Sequence, residues 1–284
     1  MGFHQGRVHP YEGGQVVSTT TTDSEYQEYD GFTIQYKDAS HRYWIENHVA
    51  CPELGIEVGR RAVPSVTTVL GILDRPALRR WQGNLDAAAV LTLEREGKLQ
   101  GVDPDGAAQI ARERGLGAEA RRDAAGTRGT AIHDALEAYC TEGKVPALAD
   151  FPEDHKGYVQ GLCAWLSDAR PEPLIVERIV GSPKYGFAGR LDLIAMVGGK
   201  RLCCDLKTNR SGYYPESHAQ IAGYRLTFPE CGIEDVDGGM IVQVAADGSY
   251  ETVEAVAGPD AFLSVLGCYR AVQDVKKALK EKTA

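Results

Sequence analysis

Apolar positions follow two different periods along the chain, and the change falls near Pro171. Before it they recur three and four apart, as on one face of a helix. After it they gather into short runs rich in Val, Ile and Leu, as in strands. Ser65, Thr67 and Thr68, just after Pro64, are placed to cap a short helix running through Val69 to Leu73. Pro76 opens a longer helix with Leu78, Trp81, Leu85 and Ala89 on one stripe. The same period predicts helices over 105–125, 129–142 and 153–168. Three consecutive strands follow at 174–181, 189–197 and 201–207, with glycines in their turns. A helix over 216–226, strands at 238–245 and 250–257, and an amphipathic helix over 259–282 complete the pattern.

Residues 1–30 lack any such period. They are rich in Gly, Ser and Thr, with a run from Thr19 to Thr22, and are expected to form a flexible tail. Two short strands at 32–36 and 42–45 flank a polar turn at 37–41. No internal repeat is present. The order of elements predicts one α/β or α+β domain over 31–284, with a helical section over about 64–170, a core over about 171–257 and a closing helix.

Composition narrows the class. Hydrophobic residues make up 43% and charged residues 25%, ordinary for a soluble globular protein. No apolar stretch is long enough to span a bilayer, and Met1 to Pro10 holds no apolar run resembling a secretory signal, so the cytoplasm is the expected compartment. The seven cysteines form no CxxC pair, which argues against a zinc site and suits buried thiols in a reducing environment. A net charge of -9 argues against a surface coated in basic residues, but not against a local basic groove.

The chemistry concentrates in Gly189-Arg190-Leu191-Asp192 and Asp205-Leu206-Lys207-Thr208. Asp205 and Lys207 are two apart, so a strand projects both from one face. The Gly198-Gly199 turn can fold Asp192 beside them. A D-x-K triplet alone is most often a solvent-facing pair, but here both carboxylates end apolar runs, where an unpaired charge is costly. Two carboxylates and the Leu206 carbonyl offer oxygen ligands suited to Mg²⁺ or Mn²⁺, with Lys207 placed to stabilise phosphoryl charge. Gln220 and Tyr224 fall one helical turn apart, as do His133 and Glu137. Gly126-Thr127-Arg128-Gly129-Thr130 reads as a helix start whose amides, with Thr130 and Arg128, could seat a phosphate. Arg121, Arg122 and Arg128 could line a groove for a phosphate backbone. Trp81 and Tyr158 read as core residues at helical spacing, with base stacking as the alternative.

In this order, Gly129-Thr130-Ala131-Ile132-His133, Gly189-Arg190-Leu191-Asp192, Asp205-Leu206-Lys207-Thr208 and Gln220-Ile221-Ala222-Gly223-Tyr224 resemble the RecB-like exonuclease branch of the PD-(D/E)XK nucleases, over about residues 60–245. The resemblance implies a restriction-endonuclease-like mixed sheet flanked by helices. It implies His133, Asp192 and Asp205 as metal ligands and Lys207 as the catalytic lysine. Gln220 and Tyr224 would support the site or touch DNA, and Glu177 would be an acidic neighbour. An iron–sulfur cluster, held in some relatives by one cysteine before the core and three after it, is not expected, because only Cys231 and Cys268 follow the core. The activity implied is hydrolysis of DNA from linear or single-stranded ends in phage or bacterial recombination and repair. A recombination or single-strand-annealing protein is the implied partner, and host cytoplasm the implied setting for a phage protein. An endonuclease of the same fold and an inactive DNA-binding protein are the alternatives.

Overall fold

Two five-stranded sheets and seven α-helices account for the described residues, 18–21, 24–208 and 214–283, of the computed structural model. The fold is mixed α+β. The first sheet is antiparallel throughout, with strands β1 (Ser18–Thr21), β2 (Ser24–Tyr29), β3 (Phe32–Lys37), β4 (Arg42–Asn47) and β5 (Gly59–Val63) in chain order. The expected tail over 1–30 is therefore corrected from Ser18 onward, while residues 1–17 lie outside the described residues. The strand signal in β2 is hidden because its most buried side chain is Gln27, 5% exposed. Backbone pairing to β3, not an apolar period, fixes that strand.

Five helices follow: α1 (Val66–Leu70), α2 (Pro76–Arg95), α3 (Pro104–Glu113), α4 (Gly117–Glu142) and α5 (Glu153–Ala169). Ser65 caps α1, its Oγ accepting the Thr68 N–H at 2.9 Å. Ser65→Ala is expected to lower stability by about 1 kcal/mol in urea unfolding, the usual value of such a cap.

The helix boundaries expected near residues 125–129 are also corrected. The break comes earlier, at Gly115, whose φ of 64° ends the run after α3, and α4 then continues unbroken through Gly126 and Gly129. A glycine inside a helix costs about 1 kcal/mol relative to alanine, too little to stop 26 residues of continuous hydrogen bonding. A Cβ at Gly129 would lie 3.7 Å from Thr208 Oγ1, an ordinary contact, so the packing of α4 there does not itself require a glycine.

The second sheet holds β6 (Glu172–Ser182), β7 (Phe187–Val197), β8 (Lys200–Lys207), β9 (Gly238–Val244) and β10 (Tyr250–Glu254) in the order β10-β9-β8-β7-β6. The first three form an antiparallel meander, α6 (Pro215–Thr227) crosses over, and β9 lies parallel to β8. The chain ends its described part in α7 (Pro259–Thr283).

Side chains alternate between the two faces of this sheet. Cys203 joins a core with the inner face of the first sheet, α1, α6 and α7; Cys204 and Leu206 join another with α4 and α5. Because Ile34 and Ile45 of the first sheet pack in the same core as Val180 and Phe187, both sheets share one apolar interior. Trp81, expected inside, is 45% exposed, whereas Tyr158 is buried as expected. Among the described residues no helix is long and apolar enough to cross a membrane.

Candidate metal and catalytic site

Sheet register lines up three acidic residues from three adjacent strands. Val176 pairs with Leu193 and Arg178 with Leu191, which sets Glu177 opposite Asp192. Leu193 pairs with Cys204, so the next step along β7 and β8 would set Asp192 opposite Asp205. That step is not a ladder pair. The strands part there, and the Leu206 N–H donates instead to Asp192 Oδ2 at 2.7 Å. β8 meanwhile keeps its pairing with β9 as far as Lys207.

His133 reaches the opening from α4. Its Nδ1 lies 3.4 Å from Glu177 Oε1 and 3.6 Å from Asp192 Oδ1, and its Nε2 lies 3.2 Å from the Leu206 carbonyl. Ligand atoms of His133, Glu177 and Asp192 all fall within 4.8 Å of one another. His133 thus faces Glu177 and Asp192, and Glu137, its neighbour one turn along the helix, is exposed. Glu177 takes a φ of 42°, left-handed for a residue with a side chain, at a cost of about 1–2 kcal/mol. Strain of that kind persists where the surroundings hold it in place, and here it sits at the carboxylate cluster.

Asp205 belongs to an adjoining network. Its Oδ1 accepts from Gln220 Nε2 at 2.8 Å, and its Oδ2 lies 2.7 Å from Lys207 Nζ in an ion pair lacking the alignment of a good hydrogen bond. Lys207 Nζ also donates to Gln220 Oε1 at 3.1 Å, and Gln220 Nε2 donates to Tyr224 Oη at 3.0 Å. The one-turn spacing of Gln220 and Tyr224 on α6 makes this chain possible. Gly189 completes it, since a Cβ there would come within 2.9 Å of the Tyr224 ring.

Burial and charge compete at each group. Burial lowers the His133 pKa, but Asp192 and Glu177 outweigh it and raise the imidazole to about 9. Burial pushes Asp205 up to about 6 against the pull of Lys207. Asp192 is raised by burial too, with His133 and Lys207 drawing it down. Lys207 is held above its ordinary range because Asp205 and Asp192 overcome its burial. Protonated His133 donates from both ring nitrogens and occupies the place of a cation among the carboxylates.

The structure therefore brings together His133, Glu177, Asp192 and the Leu206 carbonyl, with Asp205, Lys207, Gln220 and Tyr224 beside them. The arginines and Thr130 are a different matter. Arg121 and Thr130 are exposed, and Arg122 faces Glu119 and Asp123 at 3.9 and 3.7 Å. Arg128 stacks over Tyr158 at 4.4 Å. The proposed phosphate seat at Gly126 to Thr130 is overturned: that segment is the middle of α4, so its amides are spent within the helix, and Thr127 Oγ1 donates back to the Asp123 carbonyl at 3.1 Å.

Two neighbours of the site escape a reading of the sequence. Arg190 is two residues before Asp192 in β7 and pairs with Glu25 at 2.7 Å. Its alternation with Asp192 was a usable signal, but its partner is 165 residues away. Arg75 pairs with Glu216 at 2.9 Å and acts on the charge of Lys207. Nothing in the local pattern around Pro76 marks it. No family model matches the chain, and no curated protein matches it by sequence.

Proposed function

We propose that this chain is a metal-dependent DNA nuclease acting from DNA ends, with a restriction-endonuclease-like core of the PD-(D/E)XK type. The observation that carries the reading is the convergence of His133, Glu177, Asp192 and the Leu206 carbonyl beside Lys207, where β7 and β8 part. One imidazole among oxygen donors suits Mn²⁺ or Mg²⁺ better than a thiolate-seeking metal. Such an ion, when bound, polarises a phosphoryl oxygen and makes water a stronger nucleophile. Asp192 both presents a ligand oxygen and holds the Leu206 amide, and so fixes the adjoining carbonyl. Lys207, steadied by Asp205 and Gln220, offers a fixed ammonium to the developing phosphoryl charge. Gln220 and Tyr224 orient that pair, and Arg128 and Arg121 lie on the helix that delivers His133. A recombination or annealing protein as partner, in a phage or bacterial setting, fits an end-dependent activity.

The test compares end-labelled linear DNA with covalently closed circular DNA in Mg²⁺, Mn²⁺ or chelator. Metal-dependent loss of the linear form alone is expected. Cutting of the circle would make the protein an endonuclease, and no cleavage of single- or double-stranded DNA with either metal would overturn the reading.

Metal binding should also depend on pH in a defined direction. His133 must lose its proton to become a ligand, and without metal it keeps that proton until about pH 9. Mn²⁺ affinity, followed by calorimetry, is expected to rise up to about tenfold per pH unit below that value and to level above it. Linkage of the metal-free fold runs the other way: the stabilisation from protonated His133 is complete below its ordinary pKa of 6.5 and is lost as pH rises through about 9. A Mn²⁺ affinity independent of pH would exclude His133 as a ligand.

A further inference from the structure

We propose that Arg75 is a second phosphate-binding residue of the site, gripping the DNA phosphate next to the one that is cut; the inference rests on the nuclease reading. Three residues of α6, Glu216, Gln220 and Tyr224, are spaced four apart and so share one stripe of the helix. Gln220 and Tyr224 belong to the network that holds Lys207 and Asp205. Glu216 continues the stripe by one turn, and its Oε1 lies 2.9 Å from Arg75 Nε. Exposure rises in the same direction. Tyr224 is 4% and Gln220 9% exposed, whereas the side chains of Glu216 and Arg75 reach 16% and 37%. The stripe thus runs from the floor of the site outward, and Arg75 stands at its open end.

Stability does not account for this placement. An ion pair with a side chain as exposed as that of Arg75 adds little to the fold. Arg75 directly precedes α2 but makes no side-chain cap on it. The adjoining Asp74 is paired with Arg79 at 2.7 Å, so Glu216 is the ion-pair partner of Arg75 among the described residues. A guanidinium carries five N–H donors, more than one carboxylate occupies. Pro76 also restricts the backbone of the residue before it, here at φ -124° and ψ 72°, which fixes the base of the arm.

Two cations are therefore presented on adjacent turns of α6, Lys207 held at Gln220 and Arg75 at Glu216. They are close enough for Arg75 to act against the positive charge of Lys207. Successive phosphates of one strand would meet them in that order. With Lys207 facing the phosphate that is cut, Arg75 falls to the next one towards solvent, where its planar fork suits two phosphate oxygens at once.

The experiment has two arms, both on the full chain, with circular dichroism confirming that each variant folds. The first follows fluorescence anisotropy of a labelled oligothymidylate in chelator, where no hydrolysis occurs. Arg75→Gln, which keeps polarity but not charge, is expected to weaken binding about tenfold. It should also flatten the salt dependence by about 0.7 in log–log slope, the share of one phosphate contact, whereas Arg75→Lys should keep the slope. The second arm compares kcat/KM with Mn²⁺ on the oligothymidylate and on bis(p-nitrophenyl) phosphate, which has a single phosphate. The loss in Arg75→Gln should be about tenfold greater on the oligothymidylate. Equal losses on the two substrates would show that Arg75 acts only through Lys207 and would overturn the proposal, as would an unchanged salt slope. Failure of the nuclease reading is seen separately, as wild-type protein that cleaves no DNA with either metal, while the arm in chelator still tests the phosphate contact.

Discussion

Lys207→Ala is expected to slow metal-dependent DNA cleavage by about 10³-fold, the scale seen when one fixed group facing the transition state is removed. The ammonium sits 2.7 Å from Asp205 Oδ2 and 3.1 Å from Gln220 Oε1, so it is positioned before substrate arrives. Its loss also leaves Asp205, 1% exposed, without a cation. Asp205 already holds its proton up to about pH 6, and the substitution should push it higher, so the variant is expected to be most stable in mild acid and to weaken as pH rises. Circular dichroism at each assay pH therefore separates lost chemistry from lost fold. A folded Lys207→Ala protein cutting linear DNA at the wild-type rate would remove the lysine from the mechanism.

Gly157→Ala is expected to cost about 3 kcal/mol, a large part of the ~5–15 kcal/mol available to a domain. A Cβ at Gly157 would overlap the Ala246 carbonyl, and one at Gly161, a turn further along α5, would lie 2.6 Å from the Ser249 carbonyl oxygen. The two glycines let α5 rest directly on the turn between β9 and β10. Backbone atoms on both sides leave no flexible side chain to yield. Gly126→Ala in α4 supplies the contrast, because nothing lies within 4 Å of the added carbon and helix propensity should then yield a gain of up to about 1 kcal/mol. Urea unfolding of both variants tests the pair. Equal and small changes would show that the α5 contact relaxes without difficulty.

Local chemistry was legible in the sequence where a short period decides it. Two-residue spacing put Asp205 and Lys207 on one face, and four-residue spacing put Gln220 beside Tyr224. The α+β class followed from the change of period near Pro171. What long-range packing decides was not legible. Gln27 is buried where an apolar residue would have announced a strand, and most of the first sheet went unread with it. The glycines of α4 looked like a boundary but lie inside one continuous helix. Glu177 was read only as an acidic neighbour, because its left-handed backbone and its place across from Asp192 come from sheet register, which composition does not encode.

The parting of β7 and β8 gives the two key residues unequal fates under mutational drift. Asp192 is the acceptor for the Leu206 amide beyond the last β7–β8 pair, so a lineage losing it forfeits fold along with activity. Lys207 is held instead by two side chains, Gln220 and Asp205. A descendant released from selection for cleavage should shed Lys207 first and keep Asp192 long afterwards, preserving the shape of the site after its chemistry has gone.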